Sequence, residues 1–133
     1  MRLYKLLIPV VCSIALSSCS ADNDTEELNG TWKLINATAA DGANIEYEEG
    51  AVVWLFNDQS HSLTVTTTLM TLTTDTYAGL PGGTYEYYVQ KNRGVNYLYV
   101  NGENEGAYVI TGSNLVLSTS ASNQNGTTRV FKR

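Results

Sequence analysis

Aromatic side chains are concentrated in the second half of the chain, with a spacing that suits binding chemistry. Tyr85 and Tyr87 are separated by one residue, as are Tyr97 and Tyr99, so in extended strands each pair lies on one face. Rings arranged in this way, with Asn and Glu side chains nearby, can stack on sugar rings or line a pocket for an amphipathic ligand. Cross-strand tyrosines also stabilise sheets without any ligand, and the sequence leaves both interpretations open. Three neighbouring predicted strands together contain Tyr85, Tyr87, Tyr88, Tyr97, Tyr99 and Tyr108.

Residues that could carry out catalysis or bind a metal are few. The thiol of Cys19 lies at a processing site, and His61 is a single histidine in a turn. The chain contains no nucleophile-elbow, zinc-protease or phosphate-loop motif, so we expect no enzymatic activity. Segments 46–49 and 101–106 offer oxygen ligands but lack the spacing of a calcium loop, and we therefore predict no metal and no other cofactor.

The first eighteen residues have the features of an export signal. Two basic residues precede an apolar run over residues 6–16. This run is shorter than the roughly 20 residues that a membrane-spanning helix needs, so residues 1–18 are predicted to be a cleaved signal peptide. Cys12 would be removed with it, which leaves Cys19 as the remaining cysteine and excludes a disulfide within the folded domain.

The sequence Leu16-Ser17-Ser18-Cys19 resembles the lipobox of bacterial lipoproteins. This resemblance implies that Cys19 carries fatty-acyl chains such as palmitate and anchors the mature protein in a membrane. Residues 19–27 are acidic and almost without apolar side chains, and we predict a disordered tether. Ser20 resembles the outer-membrane sorting pattern, and the acids resemble a surface-export signal or form a plain spacer. We expect attachment to the cell outer membrane, on its periplasmic or surface side.

The charge of the mature chain excludes one class of partner. All thirteen acidic residues follow Cys19, whereas two of the eight basic residues belong to the signal peptide. Processing therefore leaves six basic and thirteen acidic residues, a net charge of −7 compared with −5 for the full chain. Because nucleic-acid binding requires a basic surface, we do not expect nucleic acid as a partner.

Residues 28–133 follow the pattern of an all-β domain. Apolar residues recur with period two between short turn-like segments, and no helical period is evident. About eight strands with short connections predict an antiparallel up-and-down meander that closes into a small barrel, with a β-sandwich as the alternative. The predicted strands are Thr31–Ala37, Ala51–Phe56, Ser62–Thr74, Thr84–Gln90, Val95–Val100, Ala107–Thr111, Leu115–Thr119 and Thr127–Lys132.

Finer features follow from the same pattern. The Ala51–Phe56 strand is apolar on both sides and is predicted to be buried on both faces. A phase slip between Leu69 and Met70 suggests a bulge or a break. Residues 78–83 and 101–106 are predicted to be connections without strand structure.

Both ends of the domain resemble those of lipocalins. Asn29-Gly30-Thr31-Trp32-Lys33-Leu34 is similar to the G-x-W start of that family, and Thr128–Arg133 is similar to its last strand. The segment from Tyr108 to Leu117 resembles the penultimate hairpin of lipocalin-like domains in small bacterial lipoproteins. The resemblance implies that Trp32 closes one end of the barrel as a structural plug and that Arg129 packs over it.

A second resemblance, to intracellular fatty-acid-binding proteins, rests on the same two ends. It implies instead that Arg129 points into the lumen and meets the carboxylate of an acidic ligand. Phe131 stands where that family has a tyrosine, and residues 36–50 do not read as its helical lid.

Two functions from different classes follow. In the first, the barrel of a membrane-anchored lipoprotein binds a small or amphipathic ligand, with Trp54, Tyr85, Tyr87 and Arg129 as candidate contacts. In the second, a solid-cored barrel is a non-catalytic interaction module, and an outer face of Tyr97, Tyr99 and the Ala51–Phe56 strand docks a protein or glycan. An open lumen favours the first, and a lumen closed by Trp32, Trp54 and Phe56 favours the second. In either case we expect a monomer or weak dimer.

Overall fold

The computed structural model describes residues 28–69, 75–119 and 126–133. The predicted signal peptide, Cys19 and the acidic tether lie outside the described residues, as does most of the segment in which the phase slip was expected. Within the described ranges, no helix is long and apolar enough to cross a membrane.

The described residues form nine strands and one short 3₁₀ helix, Asp75–Ala78. The strands are β1 (Gly30–Ala39), β2 (Asn44–Glu46), β3 (Val52–Asn57), β4 (Ser62–Thr67), β5 (Gly83–Asn92), β6 (Val95–Val100), β7 (Glu103–Thr111), β8 (Asn114–Ser118) and β9 (Thr127–Lys132). Each of the eight predicted strands corresponds to one of these, and β2 is an addition within a segment predicted to be a loop.

Eight of the strands close into an antiparallel barrel, which confirms the predicted fold class. From β3 to β9 each strand pairs with the next along the chain, and β1 pairs with β3 on one side and β9 on the other. The seam between β1 and β9 aligns Leu34 with Phe131 and Ala37 with Arg129, with a register shift between them. The short strand β2 pairs with the far half of β1, beyond the part that contacts β3. Closure leaves the barrel strands without an open edge.

A tight turn explains why the predicted start of β7 was wrong. Asn101 (φ 51°) and Gly102 (φ 83°) form a two-residue turn with positive φ at both positions, the geometry that matches the twist of paired strands. The chain therefore reverses in two residues, and β7 begins at Glu103 instead of beyond Gly106. Gly106 (φ 124°) lies beside a register shift in the β6–β7 pair, and a Cβ there would collide with the Ser118 carbonyl of β8.

Side chains point alternately to the inner and outer face of each strand, and those on the inner face fill the barrel interior. The largest fully buried side chains are Trp32, Trp54, Phe56 and Phe131. The outward side of β3 is different, because Leu55 is 44% exposed. The prediction that the Ala51–Phe56 strand is buried on both faces was therefore wrong: a barrel filled by its own side chains has solvent on the other face of every strand.

The barrel has two distinct ends. Leu28, Arg133 and the connections at 58–61, 93–94 and 112–113 mark one end, here called the terminal end. The opposite end, where β1, β4, β6 and β8 end and β3, β5, β7 and β9 begin, is here called the loop end. Candidate functional residues occur at both.

Candidate functional site

Two Trp–Arg pairs occupy the two ends of the barrel. Trp32 on β1 and Trp54 on β3 are register partners with inward, fully buried side chains. Their rings nevertheless lie at opposite ends of the barrel. Trp32 contacts Arg133, whereas Trp54 lies beside Gly79 and near Arg129.

Trp32 lies fully buried at the terminal end. Its indole Nε1 donates a hydrogen bond of 2.8 Å to the carbonyl oxygen of Leu28, and Cζ of Arg133 lies 4.2 Å from the ring centroid. The lipocalin resemblance implied Arg129 in this position, and that implication was wrong. Arg129, Phe131 and Arg133 share the inward direction of the strand, but the register places Arg129 beside Ala37, toward the loop end.

Arg129 is instead held inside the loop end. Its side chain is 6% exposed, and Nε donates a hydrogen bond of 2.6 Å to the carbonyl oxygen of Tyr77 in the 3₁₀ helix. A Cβ at Gly79 would lie 3.2 Å from Nε of Arg129 and 3.3 Å from Cζ2 of Trp54. Gly79 also has φ 102°, so both space and backbone conformation favour glycine where the connection crosses these side chains.

A carboxylate shares this partly buried region. Burial raises the pKa of Glu105, the positive charge of Arg129 opposes that rise, and Glu103 adds to it. Burial lowers the pKa of Arg129, with Glu105 and Tyr47 opposing the change. A guanidinium remains charged after such a shift, so the loop end holds a desolvated cation with an acidic group in electrostatic range.

Nε1 of Trp54 and the hydroxyl of Tyr87 are buried inside the barrel, and neither has a hydrogen-bond partner among the described residues. Burial, with a further contribution from Asp58, raises the pKa of Tyr87 to about 12. The Tyr87 ring packs edge-on against Phe56, with centroids 5.0 Å apart. Such atoms cost stability unless water or a ligand satisfies them.

The four candidate ligand contacts are not all brought together. Trp54 and Arg129 meet beneath Gly79. Tyr85 donates its hydroxyl to the carbonyl oxygen of Pro81, at 2.6 Å, in the same connection between β4 and β5. Tyr87 lies apart from them, because its ring contacts Phe56 and His61 beside the β3–β4 turn.

The outward tyrosines form a surface of their own, here called the tyrosine face: Tyr88, Tyr97 and Tyr99. Tyr88 and Tyr99 are register partners with parallel rings, 4.9 Å between centroids and 5° between planes. Tyr88 is 49% exposed. The predicted docking surface combined Tyr97 and Tyr99 with β3, but β4 and β5 separate β3 from β6, so the two do not adjoin.

Sequence reasoning missed Gly79, Glu105 and the carbonyl oxygen of Tyr77. Gly79 lies in a glycine-rich segment that predicts a loop but not which side chains the loop covers. Glu105 lies in a segment that the sequence predicts to be a turn. His61 is exposed, with φ 54°, in the β3–β4 turn. In the described part of the chain, no three His, Cys, Asp or Glu side chains lie close enough to hold a metal ion.

No known protein family matches this chain, and no curated protein or solved structure matches it. The lipocalin resemblance therefore rests on the sequence alone, on the two ends of the domain and the segment from Tyr108 to Leu117.

Proposed function

We propose that this protein is a lipid-anchored, non-enzymatic interaction module of the cell envelope, whose interior holds the fold together and whose outer surface binds a partner. The packing of the lumen carries this proposal. Trp32, Trp54 and Phe56 are at most 1% exposed, and the Trp54 ring lies 6.1 Å from Phe56 and 4.8 Å from Phe131 between centroids. Large side chains thus occupy the volume that a lumen ligand would need.

The tyrosine face is the binding surface in this proposal. Tyrosine is enriched at protein interfaces because it contributes a large contact area and a polar tip at low entropic cost. The Tyr88–Tyr99 stack fixes both rings before a partner arrives, which reduces the ordering cost of binding. Gln90, opposite Tyr97, and Asn104, opposite Tyr99, supply hydrogen-bonding groups at the rim.

The experiment uses the full-length protein, purified from its membrane after cross-linking in cells. The double variant Tyr88→Ala, Tyr99→Ala should lose cross-linked partners, while Leu55→Ala, an exposed strand residue outside the tyrosine face, should retain them. An identical set of partners in the parent and the double variant would contradict the proposal.

The anchor is tested separately. Lipidation at Cys19 in the outer membrane is part of the proposal and is supported by the lipobox resemblance. Cys19→Ala should move the protein from the detergent phase to the aqueous phase and leave unprocessed precursor. A Cys19→Ala protein that partitions like the parent would show that the anchor lies elsewhere.

A second candidate function is binding of a small acidic or amphipathic ligand at the loop end. The unpartnered Nε1 of Trp54 favours it, because a ligand carboxylate beside Arg129 would accept that hydrogen bond. Native mass spectrometry with fatty acids and bile-acid-like carboxylates tests this candidate. Arg129→Met should abolish binding and Arg133→Met should not. If no carboxylate binds the parent, this candidate is excluded.

A further inference from the structure

Charge is distributed unevenly between the two ends of the barrel. In the ranges that the structure describes, the strand ends and connections of the terminal end carry four exposed basic side chains and one acidic side chain, Asp58. The loop end is acidic, because segments 41–49 and 103–105 hold six of the nine acidic residues in those ranges. The barrel can therefore present a basic end to an anionic surface although its net charge is negative. The four basic residues are Lys91, Arg93, Lys132 and Arg133.

Four valines cross the outer wall beside this end, on strands β6 to β9, and are here called the valine row: Val95, Val109, Val116 and Val130. Val109 pairs with Val116, which pairs with Val130. Val95 lies opposite Val109, one step beyond the last register pair of β6 and β7. The residues on either side of Val116 and of Val130 are buried, which places these two side chains on the outer face. Val109 is 61% and Val95 39% exposed, so the row offers apolar contact to an outside surface.

Basic residues flank the valine row at both of its ends. Arg93 precedes Val95 by two residues, in the turn that joins β5 to β6. Lys132 follows Val130 by two residues on the same face of β9. Between them, β6 and β8 carry no charged residue, and the two carboxylates of β7 lie within its first three residues, at the loop end. An apolar strip with cations on either side suits a membrane surface, where the cations contact headgroup phosphates and the apolar side chains reach the acyl boundary.

The predicted tether joins the barrel at the same end. Leu28 is fully buried there, and its carbonyl oxygen accepts the hydrogen bond from Nε1 of Trp32. Residues 20–27 are eight residues, which reach at most about 28 Å when extended. A lipid anchor at Cys19 therefore keeps the terminal end within that distance of the bilayer.

We infer that the valine row and the basic residues beside it form a membrane-docking surface, which holds the β6–β9 wall against anionic phospholipid headgroups. The inference rests on the lipid anchor of the proposed function and adds a second surface to the tyrosine face. Tyr97 and Tyr99 follow Val95 at two-residue steps along β6, so Tyr99 lies about 13 Å farther along the strand and stays open to a partner. A second copy of the chain is the poorer occupant, because a symmetric contact would bring basic residues of both copies together.

The test measures how deeply single residues of the mature lipoprotein lie in vesicles of stated composition. Val109→Cys supplies the label site, because in the proposed function processing removes Cys12 and the sulfur of Cys19 carries the lipid. A nitroxide at this position collides with oxygen inside a bilayer and with a hydrophilic nickel chelate in water. Leu55→Cys is the matched control, since Leu55 is exposed and β3 lies four strands from β7 in either direction around the barrel.

In phosphatidylcholine vesicles with about one-third phosphatidylglycerol, the ratio of oxygen to nickel-chelate collisions should be severalfold higher at Val109 than at Leu55. Phosphatidylcholine alone should remove most of this difference, as should roughly 1 M salt, which shortens the Debye length to about 3 Å. The double variant Arg93→Gln, Lys132→Gln should do the same, because it removes a cation from each end of the row. Circular dichroism verifies that each variant is folded, and Val95→Cys provides a second label site on β6.

Three results would overturn the inference and leave the anchor intact: a Val109 label that stays in water, equal depth at Val109 and Leu55, or the same depth at Val109 without phosphatidylglycerol. A label shielded from both reagents in vesicles and in detergent alike would also overturn it, because a second copy of the chain would then cover the valine row. Protein that separates from the vesicles would contradict the anchor and, with it, this inference. Partner binding by the tyrosine face is measured with its own variants and does not depend on these outcomes.

Discussion

The two ends of the barrel use the same residue types and differ in how their polar atoms are satisfied. At the terminal end, the indole N–H of Trp32 has an acceptor in Leu28, and the cation over the ring, Arg133, is exposed to solvent. At the loop end, the indole N–H of Trp54 has no acceptor among the described residues, and the neighbouring cation, Arg129, is buried. The first arrangement has the properties of a structural closure. The second keeps one indole N–H without an acceptor beside a buried cation, which is why it carries the second candidate function.

The largest predicted effect concerns Trp32 at the terminal end. Trp32→Ala should reduce the free energy of unfolding by about 3–5 kcal/mol, because it removes a fully buried ring and leaves the Leu28 carbonyl oxygen without its donor. Denaturant titration measures this, with Val109→Ala, a mainly exposed position, as the control for strand substitutions. A cost below about 1 kcal/mol would show that Trp32 does not plug the barrel.

The next largest effect is a difference in stability cost between substitutions of Arg129 and Arg133. Arg129→Met removes the hydrogen bond to the carbonyl oxygen of Tyr77 from a buried position and should cost about 1–3 kcal/mol. Arg133→Met removes an exposed cation from the Trp32 ring and should cost less than about 1 kcal/mol. Thermal unfolding of both variants under identical conditions gives the comparison, and equal costs would contradict the distinction between the two ends.

A smaller difference in stability separates the contributions of the two indole N–H groups. Trp32→Phe and Trp54→Phe remove similar volumes, but only the first breaks a hydrogen bond. Trp32→Phe should therefore be the more costly by about 1 kcal/mol. If the order is reversed, the N–H of Trp54 is satisfied in solution, and the case for a ligand acceptor at the loop end is lost.

The smallest effect is a dependence on pH at the loop end. Because burial raises the pKa of Glu105 in the folded protein, the folded state binds more protons than the unfolded state between the ordinary Glu pKa and the raised value. The free energy of unfolding should therefore fall as pH rises through this interval. Glu105→Gln should flatten this dependence, and Glu86→Gln, an exposed carboxylate on β5, should not. A slope unchanged by Glu105→Gln would place its origin elsewhere.

Local pattern was enough to predict the barrel but not the partners of its side chains. Alternation correctly put Arg129 and Phe131 on one face of β9, since that property depends only on neighbours in the chain. Which end of the barrel Arg129 reaches depends on its register with β1, about ninety residues earlier, and this register is set by closure of the whole sheet.

The tyrosines show the same limit of prediction from local sequence pattern. Spacing placed Tyr97 and Tyr99 on one face of β6. The stack, however, joins Tyr99 to Tyr88, which faces away from Tyr85 and Tyr87, and only the pairing of β5 with β6 reveals it.

The seam between β1 and β9 has a consequence for the order of assembly. Every other barrel pairing joins strands that follow one another along the chain, with only the short β2 between β1 and β3, whereas this one joins the first strand to the last. β9 follows the other described strands along the chain, so a nascent chain that contains only β1 to β8 still exposes an unpaired backbone edge on both β1 and β8. Loop-closure entropy adds only a slowly growing cost to joining such distant segments, and the exposed edges are the greater hazard because they can pair with another chain. A chain shortened by its last eight residues should therefore accumulate as aggregates and not as a smaller stable barrel.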